Sequence, residues 1–299
     1  MSTPAGGPTG IVLVDKPNGP TSHDVVARAR RALGTRKVGH AGTLDPMATG
    51  LLILGVGSAT RLLTHIVGLD KGYDATIRLG QSTDTDDAEG EVIATVDAAG
   101  VSDAAIADGI RALTGDIEQV PSSFSAIKVD GRRSYDRARA GERVDLPARP
   151  VRIAAFDLLA TRRDGALIDL DVRVAVSSGT YVRALARDLG SALGVGGHLT
   201  ALRRTRVGPF GVDGAVALDD VGPDALRPAA GVAAALFPTV TLDDDRARDL
   251  AHGKRIPVDT SDADPVAALT ADGRLAGLVA VRGGTARVVL NMPTSEVLP

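Results

Sequence analysis

The sequence contains no cysteine and no tryptophan, and aromatic residues make up only 2% of its 299 residues. Without cysteine, a chain forms no disulfide and has neither thiolate catalysis nor cysteine-ligated zinc. The five histidines are scattered and do not form a zinc-binding pattern. No apolar run approaches the ~20 residues of a membrane helix, and the N-terminus has no signal-peptide pattern. We therefore expect a cytoplasmic protein without a metal and without membrane association.

The chain also has little net charge, −3, which by itself argues against strong binding to nucleic acid. The basic residues, 29 of 34 of which are arginine, are nevertheless unevenly distributed. Residues 16–40 carry a local charge of +5 and residues 128–152 one of +4, whereas residues 241–265 hold seven acids against four bases. This asymmetry is typical of a basic face for a phosphate backbone, although arginine is abundant in the whole chain.

The apolar patterns predict an α+β fold. Short β-branched or alternating segments indicate strands at residues 10–15, 73–79, 91–96, 151–160, 167–176 and 198–206. Amphipathic or capped segments indicate helices at residues 22–33, 58–65, 103–113 and 181–189, with Ser22, Ser58 and Thr180 as N-caps and Gly190 as a stop. Strands and helices do not alternate strictly, which favours a mixed, largely antiparallel sheet with flanking helices.

Composition suggests the domain organisation. Residues 118–150 are polar and arginine-rich, which predicts a projecting insertion. Residues 212–238 are rich in alanine, glycine and proline, as in a linker. We therefore expect a catalytic domain at 1–235, which includes the insertion, and a small β-rich C-terminal domain at 236–299.

A single carboxylate, Asp45, lies between small-residue turns in the segment 39–50, which reads GHAGTLDPMATG. Pro46 biases Asp45 away from helical geometry, so the carboxylate lies on a fixed, non-helical backbone. Taken alone, an Asp-Pro pair is typical of an Asx-turn, in which the carboxylate caps its own loop. A loop of this kind can also present one acid into a cleft.

All twelve residues resemble the catalytic loop of the pseudouridine synthases, and most closely the TruB branch, which modifies uridine 55 in the T-loop of tRNA. A match of this length is far more specific than a short glycine motif. The resemblance implies the pseudouridine synthase fold, and it implies that Asp45 is the essential nucleophile. It covers roughly residues 10–210 in five ordered blocks.

Two of these blocks supply further candidates for the reaction. Residues 177–183 resemble the family segment whose arginine, here Arg183, pairs with the catalytic aspartate and whose tyrosine, here Tyr181, lines the uridine pocket. Tyr73 matches the tyrosine that stacks on the target base and is a candidate base for the C5 proton. Without the resemblance, Arg183 would be interpreted as a solvated helix residue and Tyr73 as a packing residue.

The remaining matches concern substrate binding. His40 occupies the position of a family histidine that contacts the RNA near the space left by the flipped nucleotide. Leu202 matches an apolar pocket residue. Lys16, in an Asp-Lys-Pro block, is expected to support the floor of the site or to contact phosphate.

The insertion resembles the family's RNA-gripping thumb at residues 120–126. Its arginines Arg132, Arg133 and Arg137 are therefore candidates for contact with the RNA backbone. The C-terminal domain matches no specific motif, but its short strands are compatible with the PUA domain that the family often carries.

Two tempting motifs are rejected. Residues 84–90 resemble a calcium loop, but Ala88 and Gly90 stand at the wrong positions, so we interpret the segment as a solvated turn. Residues 55–58 lack the lysine and spacing of a phosphate-binding loop. No metal, nucleotide or redox cofactor is expected.

The resemblance implies an enzyme that isomerises uridine 55 of tRNA to pseudouridine, acting on the T-arm as a monomer without an obligatory protein partner. One alternative is a synthase of the same branch that acts on another RNA. Another is a non-catalytic factor that binds and folds tRNA. The intact Asp45 loop favours the enzyme, although both activities could coexist.

Overall fold

The computed structural model describes residues 7–122, 128–129, 132–133 and 146–298, with the backbone alone at 128–129 and 132–133. These residues divide into two compact units. The first combines residues 7–45, 51–67 and 209–298, and the second combines residues 46–50 with the described part of 68–208. The predicted domains, 1–235 and 236–299, follow the order of the chain instead, and that division stays a prediction.

The strands of the described residues are β1 (Gly10–Lys16), β2 (Val38–Ala41), β3 (Thr49–Val56), β4 (Lys71–Leu79), β5 (Gln81–Thr83), β6 (Val92–Thr95), β7 (Gly115–Gln119), β8 (Lys128–Val129), β9 (Arg132–Arg133), β10 (Arg149–Asp164), β11 (Leu167–Val176), β12 (Gly197–Val207), β13 (Phe210–Gly211), β14 (Val216–Ala217), β15 (Thr239–Leu242), β16 (Ile256–Pro257), β17 (Ala263–Thr270), β18 (Leu275–Arg282) and β19 (Thr285–Asn291). The α-helices are α1 (Ser22–Ala32), α2 (Leu63–Val67), α3 (Asp103–Ala112), α4 (Val182–Ala192), α5 (Ala229–Leu236), α6 (Asp244–Ala251) and α7 (Thr294–Val297). Short 3₁₀ turns cover Gly57–Leu62, Val212–Gly214, Leu218–Asp220 and Pro223–Ala225.

The second unit is built on an antiparallel sheet in the order β12-β4-β11-β10-β7. The first two residues of β3 belong to this unit and pair in parallel with β12. Helix α4 packs closely on the sheet, since Gly190 approaches the backbone of Gly196 so nearly that any side chain would overlap it. The expected mixed, largely antiparallel sheet with flanking helices is confirmed.

The first unit contains β1, which pairs in parallel with β14, and the antiparallel pair β2–β3. It also holds a five-stranded sheet in the order β15-β17-β18-β19-β16. Strands β15 and β17 are parallel and the other neighbours are antiparallel. These five strands are the β-rich C-terminal part that the sequence predicts.

Several local expectations require correction. The N-cap of helix α1 is Thr21 instead of the expected Ser22, and Thr21 forms a capping box with Asp24. Helix α4 has Tyr181 rather than Thr180 at its N-cap, without a side-chain cap, and it runs through Gly190 to Ala192. The predicted helix at 58–65 is a 3₁₀ turn followed by the short α2.

The described part of the chain has no α-helix that is both long enough and apolar enough to cross a membrane. Most of the predicted insertion at 118–150 falls outside the described residues, including Arg137. Of its candidate arginines, Arg132 and Arg133 have only their backbone described, as β9 paired with β8.

Candidate active site

The Asp45 loop joins β2 to β3 and has no regular structure, as the Asp-Pro pair predicts. Asp45 is half-buried. The preceding residue, Leu44, is held by the buried side chain of Ser22, whose Oγ accepts from Leu44 N at 2.9 Å and donates to Leu44 O at 3.1 Å. Ser22 therefore anchors the loop instead of capping α1.

The other end of the loop is fixed by close packing in the second unit. Gly50 has a φ of +95°, and a Cβ there would overlap the backbone of Arg204 on β12. Only glycine combines this backbone conformation with such an approach. The final glycine of the predicted motif is therefore a structural requirement.

His40 lies on β2 in the same unit as Asp45 and is half-buried. Its ring meets that of His23 edge-to-face, with the ring centroids 5.7 Å apart. Lys16, at the end of β1, is fully buried and donates from Nζ to Pro17 O at 2.9 Å. This burial favours structural support over phosphate contact, the two roles that the sequence left open for Lys16.

Arg183 is the second residue of α4 and is 4% exposed. Its Nη1 donates to Thr85 O at 2.8 Å and to Ser122 Oγ at 3.4 Å, and it lies 3.4 Å from Asp87 Oδ2. Arg183 is therefore a buried, tightly held cation. Without the family resemblance it would have been interpreted as a solvated helix residue, and that interpretation is wrong.

One acidic partner of Arg183 comes from a segment that the sequence analysis misjudged. Asp86 and Asp87 are buried, so residues 84–90 are not solvated throughout, although Asp84, Ala88 and Glu89 are exposed. Asp87 Oδ1 accepts from Thr85 Oγ1 at 2.6 Å and from Glu89 N at 3.0 Å. These local bonds fix the carboxylate, and burying it beside Arg183 avoids leaving either charge alone.

Asp86 faces a second arginine. It adopts a positive φ of 62°, and Arg187 Nη1 lies 3.3 Å from its Oδ2. Burial raises the pKa of the Asp86 carboxyl, while Arg187 and a hydrogen bond with Ser122 act in the opposite direction. The two adjacent acids thus serve two arginines one helical turn apart on α4.

Tyr73 and Leu202 lie on neighbouring strands of the second unit. Tyr73 on β4 pairs with Arg204, and Ala75 pairs with Leu202 on β12. Because directly opposed residues share a face of an antiparallel sheet, Tyr73 and Leu202 lie on the same face. Both are 7% exposed. Tyr181 precedes α4, and both its N–H and its C=O bond to the amide of Gln119.

The described residues contain no cluster of three or more histidine, aspartate or glutamate side chains that could hold a metal ion. Sequence reasoning missed the roles of Ser22, Asp86 and Asp87, and it did not single out Gln119 or Ser122. The one available signal was the acidic segment 84–90, whose adjacent Asp86 and Asp87 match no calcium pattern and are candidates to pair with a buried arginine.

Comparison with known proteins defines first the class and then the family. A family model described as "TruB family pseudouridylate synthase (N terminal domain)" matches residues 30–182. The models "tRNA pseudouridylate synthase B C-terminal domain" and "tRNA Pseudouridine synthase II, C terminal" match residues 183–234 and 237–293. The chain is thus a pseudouridylate synthase, an isomerase. It belongs to the TruB family.

Individual relatives agree over nearly the full length. The chain is 57% identical over 296 residues to "tRNA pseudouridine synthase B" of Leifsonia xyli subsp. xyli, which covers 97% of this chain and 98% of that protein. A protein of the same name from an Arthrobacter species is 55% identical over 302 residues, 97% and 99% of the two chains. A chain in "Crystal Structure of a Cbf5-Nop10-Gar1 Complex" aligns with all of this chain and 93% of its own length, with a TM-score of 0.72 and 26% identity. The resemblance predicted from the sequence is confirmed.

Proposed function

We propose that this enzyme isomerises uridine 55 in the T-loop of tRNA to pseudouridine. Its relatives at 54–60% identity are named tRNA pseudouridine synthase B, which supports tRNA as the substrate. The observation that carries the proposal is the Asp45 loop, which has the complete motif and is fixed by Ser22 at one end and Gly50 at the other.

The reaction requires the target uridine to leave the loop stack. Unstacking one base costs roughly a few kcal/mol, which contacts in the pocket offset. The N1–C1′ bond then breaks, the uracil rotates, and a C5–C1′ bond forms. The C5 proton leaves and N1 ends protonated, so the product is an isomer of the substrate and no cofactor is consumed.

Each proposed residue has a distinct part in this sequence. Asp45 supplies the ionised oxygen that starts glycosidic cleavage, and Arg183 is the cation that keeps it ionised, because an opposite charge favours the carboxylate form. Tyr73 holds the detached base and is the candidate to take the C5 proton. Tyr181 and Leu202 line the pocket.

The RNA-binding roles are proposed on the resemblance. His40 contacts the RNA beside the flipped nucleotide, and Lys16 supports the floor of the site from its buried position. Arg132, Arg133 and Arg137 contact the RNA backbone from the insertion. We also propose that the enzyme acts on the T-arm as a monomer, in the cytoplasm, without an obligatory protein partner.

The test uses tRNA transcripts that carry tritium at C5 of uridine, since isomerisation releases this tritium to water. The wild-type enzyme should release it from the normal transcript and not from a transcript with cytidine at position 55. Asp45→Asn, which removes the charge and keeps the shape, should abolish release while affinity for the cytidine transcript stays within about threefold.

Three results would contradict the proposal. Release from the cytidine transcript would mean that another uridine, and another RNA context, is the target. Turnover by pure Asp45→Asn would exclude Asp45 as the initiating group. Binding of tRNA without any release by the wild-type protein would favour the non-catalytic folding factor.

A further inference from the structure

The buried amide of Gln119 binds both backbone polar groups of Tyr181, the residue at the start of α4. Gln119 is the last residue of β7 and is 1% exposed. Its Oε1 accepts from Tyr181 N at 2.9 Å, and its Nε2 donates to Tyr181 O at 3.1 Å. A primary amide carries a donor and an acceptor side by side, so it can bind the N–H and the C=O of one residue together.

This bracket lies where the helix lacks a cap of its own. Tyr181 is the N-cap of α4, and its side chain makes no capping hydrogen bond. The first turn of a helix has N–H groups without helical partners, and a side-chain cap normally restrains it. Gln119 supplies that restraint from a neighbouring strand, two residues before Arg183.

The residues after Gln119 extend the connection. Val120 O accepts from Arg187 Nη2 at 2.7 Å, and Ser122 Oγ accepts from Arg183 Nη1 at 3.4 Å. Ser122, fully buried, also donates to Thr85 O at 3.3 Å, beside the acid that pairs with Arg183. The short segment 119–122 therefore contacts α4 at three points, Tyr181, Arg183 and Arg187.

We propose that Gln119 is a positioning residue for the isomerisation. It fixes the two peptide units that flank Tyr181, and thereby sets where α4 begins and where the Arg183 guanidinium lies. This inference rests on the proposed roles of Tyr181 and Arg183. A small displacement of a group that must align with the reacting atoms costs far more rate than affinity.

The test compares two substitutions of Gln119. Gln119→Glu keeps the size and the acceptor for Tyr181 N–H but turns a carboxylate oxygen towards Tyr181 O. Gln119→Leu removes both hydrogen bonds. Single-turnover rates at saturating tRNA should fall about tenfold to a hundredfold in both, with affinity for the cytidine-55 transcript within about threefold of wild type.

The pH profile separates positioning from general destabilisation. A protonated glutamate carries an O–H that can replace the amide donor, and burial against a carbonyl oxygen raises its pKa. The rate of Gln119→Glu, divided by that of the wild type, should therefore rise as the pH falls from about 8 to 6. The corresponding ratio for Gln119→Leu should stay flat.

Thr76→Val is the matched control, because it removes a side-chain hydrogen bond to Asp171 in the same unit, and neither residue belongs to α4 or to the segment 119–122. Near wild-type rates for both Gln119 variants would overturn the proposal. A variant that loses affinity for tRNA but keeps the wild-type rate would also overturn it. The same holds if Thr76→Val, at an equal loss of stability, loses as much rate as the Gln119 variants. If Gln119→Leu does not fold, the pH ratio of Gln119→Glu decides alone. The rates of the Gln119 variants are measured relative to wild type, whichever uridine reacts. An incorrect assignment of position 55 would instead be detected as tritium release from the cytidine-55 transcript.

Discussion

At the scale of single residues, this enzyme buries cationic side chains that its low net charge does not suggest. Lys16, Lys71, Arg183 and Arg204 are each at most 7% exposed. Burying a charge is costly unless neighbouring groups compensate it. Arginine keeps its proton under all ordinary conditions, whereas lysine can lose it, so the consequence for stability differs between the two residue types.

Lys71 gives a prediction about the pH dependence of stability. Burial, together with the nearby charge of Arg204, lowers the pKa of Lys71 from 10.5 to about 8. Between these two values the unfolded chain binds more protons than the folded one, so the free energy of unfolding should rise with pH. From pH 8 to 10 this gain should be about 2 kcal/mol.

Lys71→Met lacks the titrating group and isolates its contribution. We expect denaturant unfolding of the wild type to gain stability relative to Lys71→Met as the pH rises from 8 to 10. Parallel stability curves for the two proteins over that range would show that Lys71 titrates normally in the fold.

A site residue can be predicted from the sequence when its contacts are close to it along the chain. The motif at 39–50 is contiguous, so Asp45 and its glycines are readable from the sequence. The contact of Arg183 with Thr85 joins residues 98 apart, and Ser22 reaches Leu44 across 22 residues. Nothing local in the sequence distinguishes Ser22 from an ordinary cap, because its true partner is set by the tertiary fold.

At the scale of elements, strands were predicted more accurately than helix ends. Strand β4, expected at 73–79, spans Lys71–Leu79, and β11 spans the expected Leu167–Val176. Buried residues alternate with mostly half-buried ones in β11 and, from Tyr73 on, in β4, because one face of the sheet packs on the core. Helix α4 was expected to stop at Gly190, a usual stop signal, but it continues because this glycine serves packing instead.

Gly190 and Gly109 form a natural pair for testing that explanation. A Cβ at Gly190 would overlap the backbone of Gly196. At Gly109 in α3 it would meet only side-chain ends, that of Leu189 at 2.7 Å and that of Leu193 at 3.9 Å. Gly190→Ala should therefore lower the free energy of unfolding by about 3 kcal/mol, since a backbone cannot move aside cheaply. Gly109→Ala should stay within about 1 kcal/mol, because alanine favours the helix.

Thermal or denaturant unfolding of the two variants measures the difference. Equal effects at both positions would mean that α4 and β12 separate readily, and that Gly190 is retained for another reason. A stable Gly190→Ala that retained wild-type activity would contradict the close-packing explanation directly.

At the scale of the whole molecule, the uneven charge distribution predicts how the enzyme binds RNA. The segment 128–152 holds eight basic residues in a chain of net charge −3. The fold class could be predicted from the sequence because the long strands have clear apolar patterns. The family could be predicted because its motifs occur in order along the chain. The two compact units could not be predicted from the sequence, because each unit combines segments that are distant in the chain.

The final prediction concerns Arg132, Arg133 and Arg137, the proposed phosphate contacts of the insertion. Each lost contact should reduce the log–log salt slope of RNA binding by about 0.7 to 0.9, so the triple alanine variant should have a slope shallower by about 2 to 3. Binding should weaken most at low salt, while the single-turnover rate at saturating tRNA should stay closer to wild type than in Asp45→Asn.

A second triple variant controls for the loss of three positive charges. It replaces arginines of the second unit that already pair with aspartates, namely Arg111 with Asp108, Arg162 with Asp171 and Arg163 with Asp103. Because these ion pairs compensate the arginine charges, this variant should retain nearly the wild-type slope. If both triple variants change the slope equally, the effect is one of net charge. If neither changes it, the arginines of the insertion are solvated and neutralised by the acids among them. Only a change confined to the insertion variant supports direct contact with phosphates.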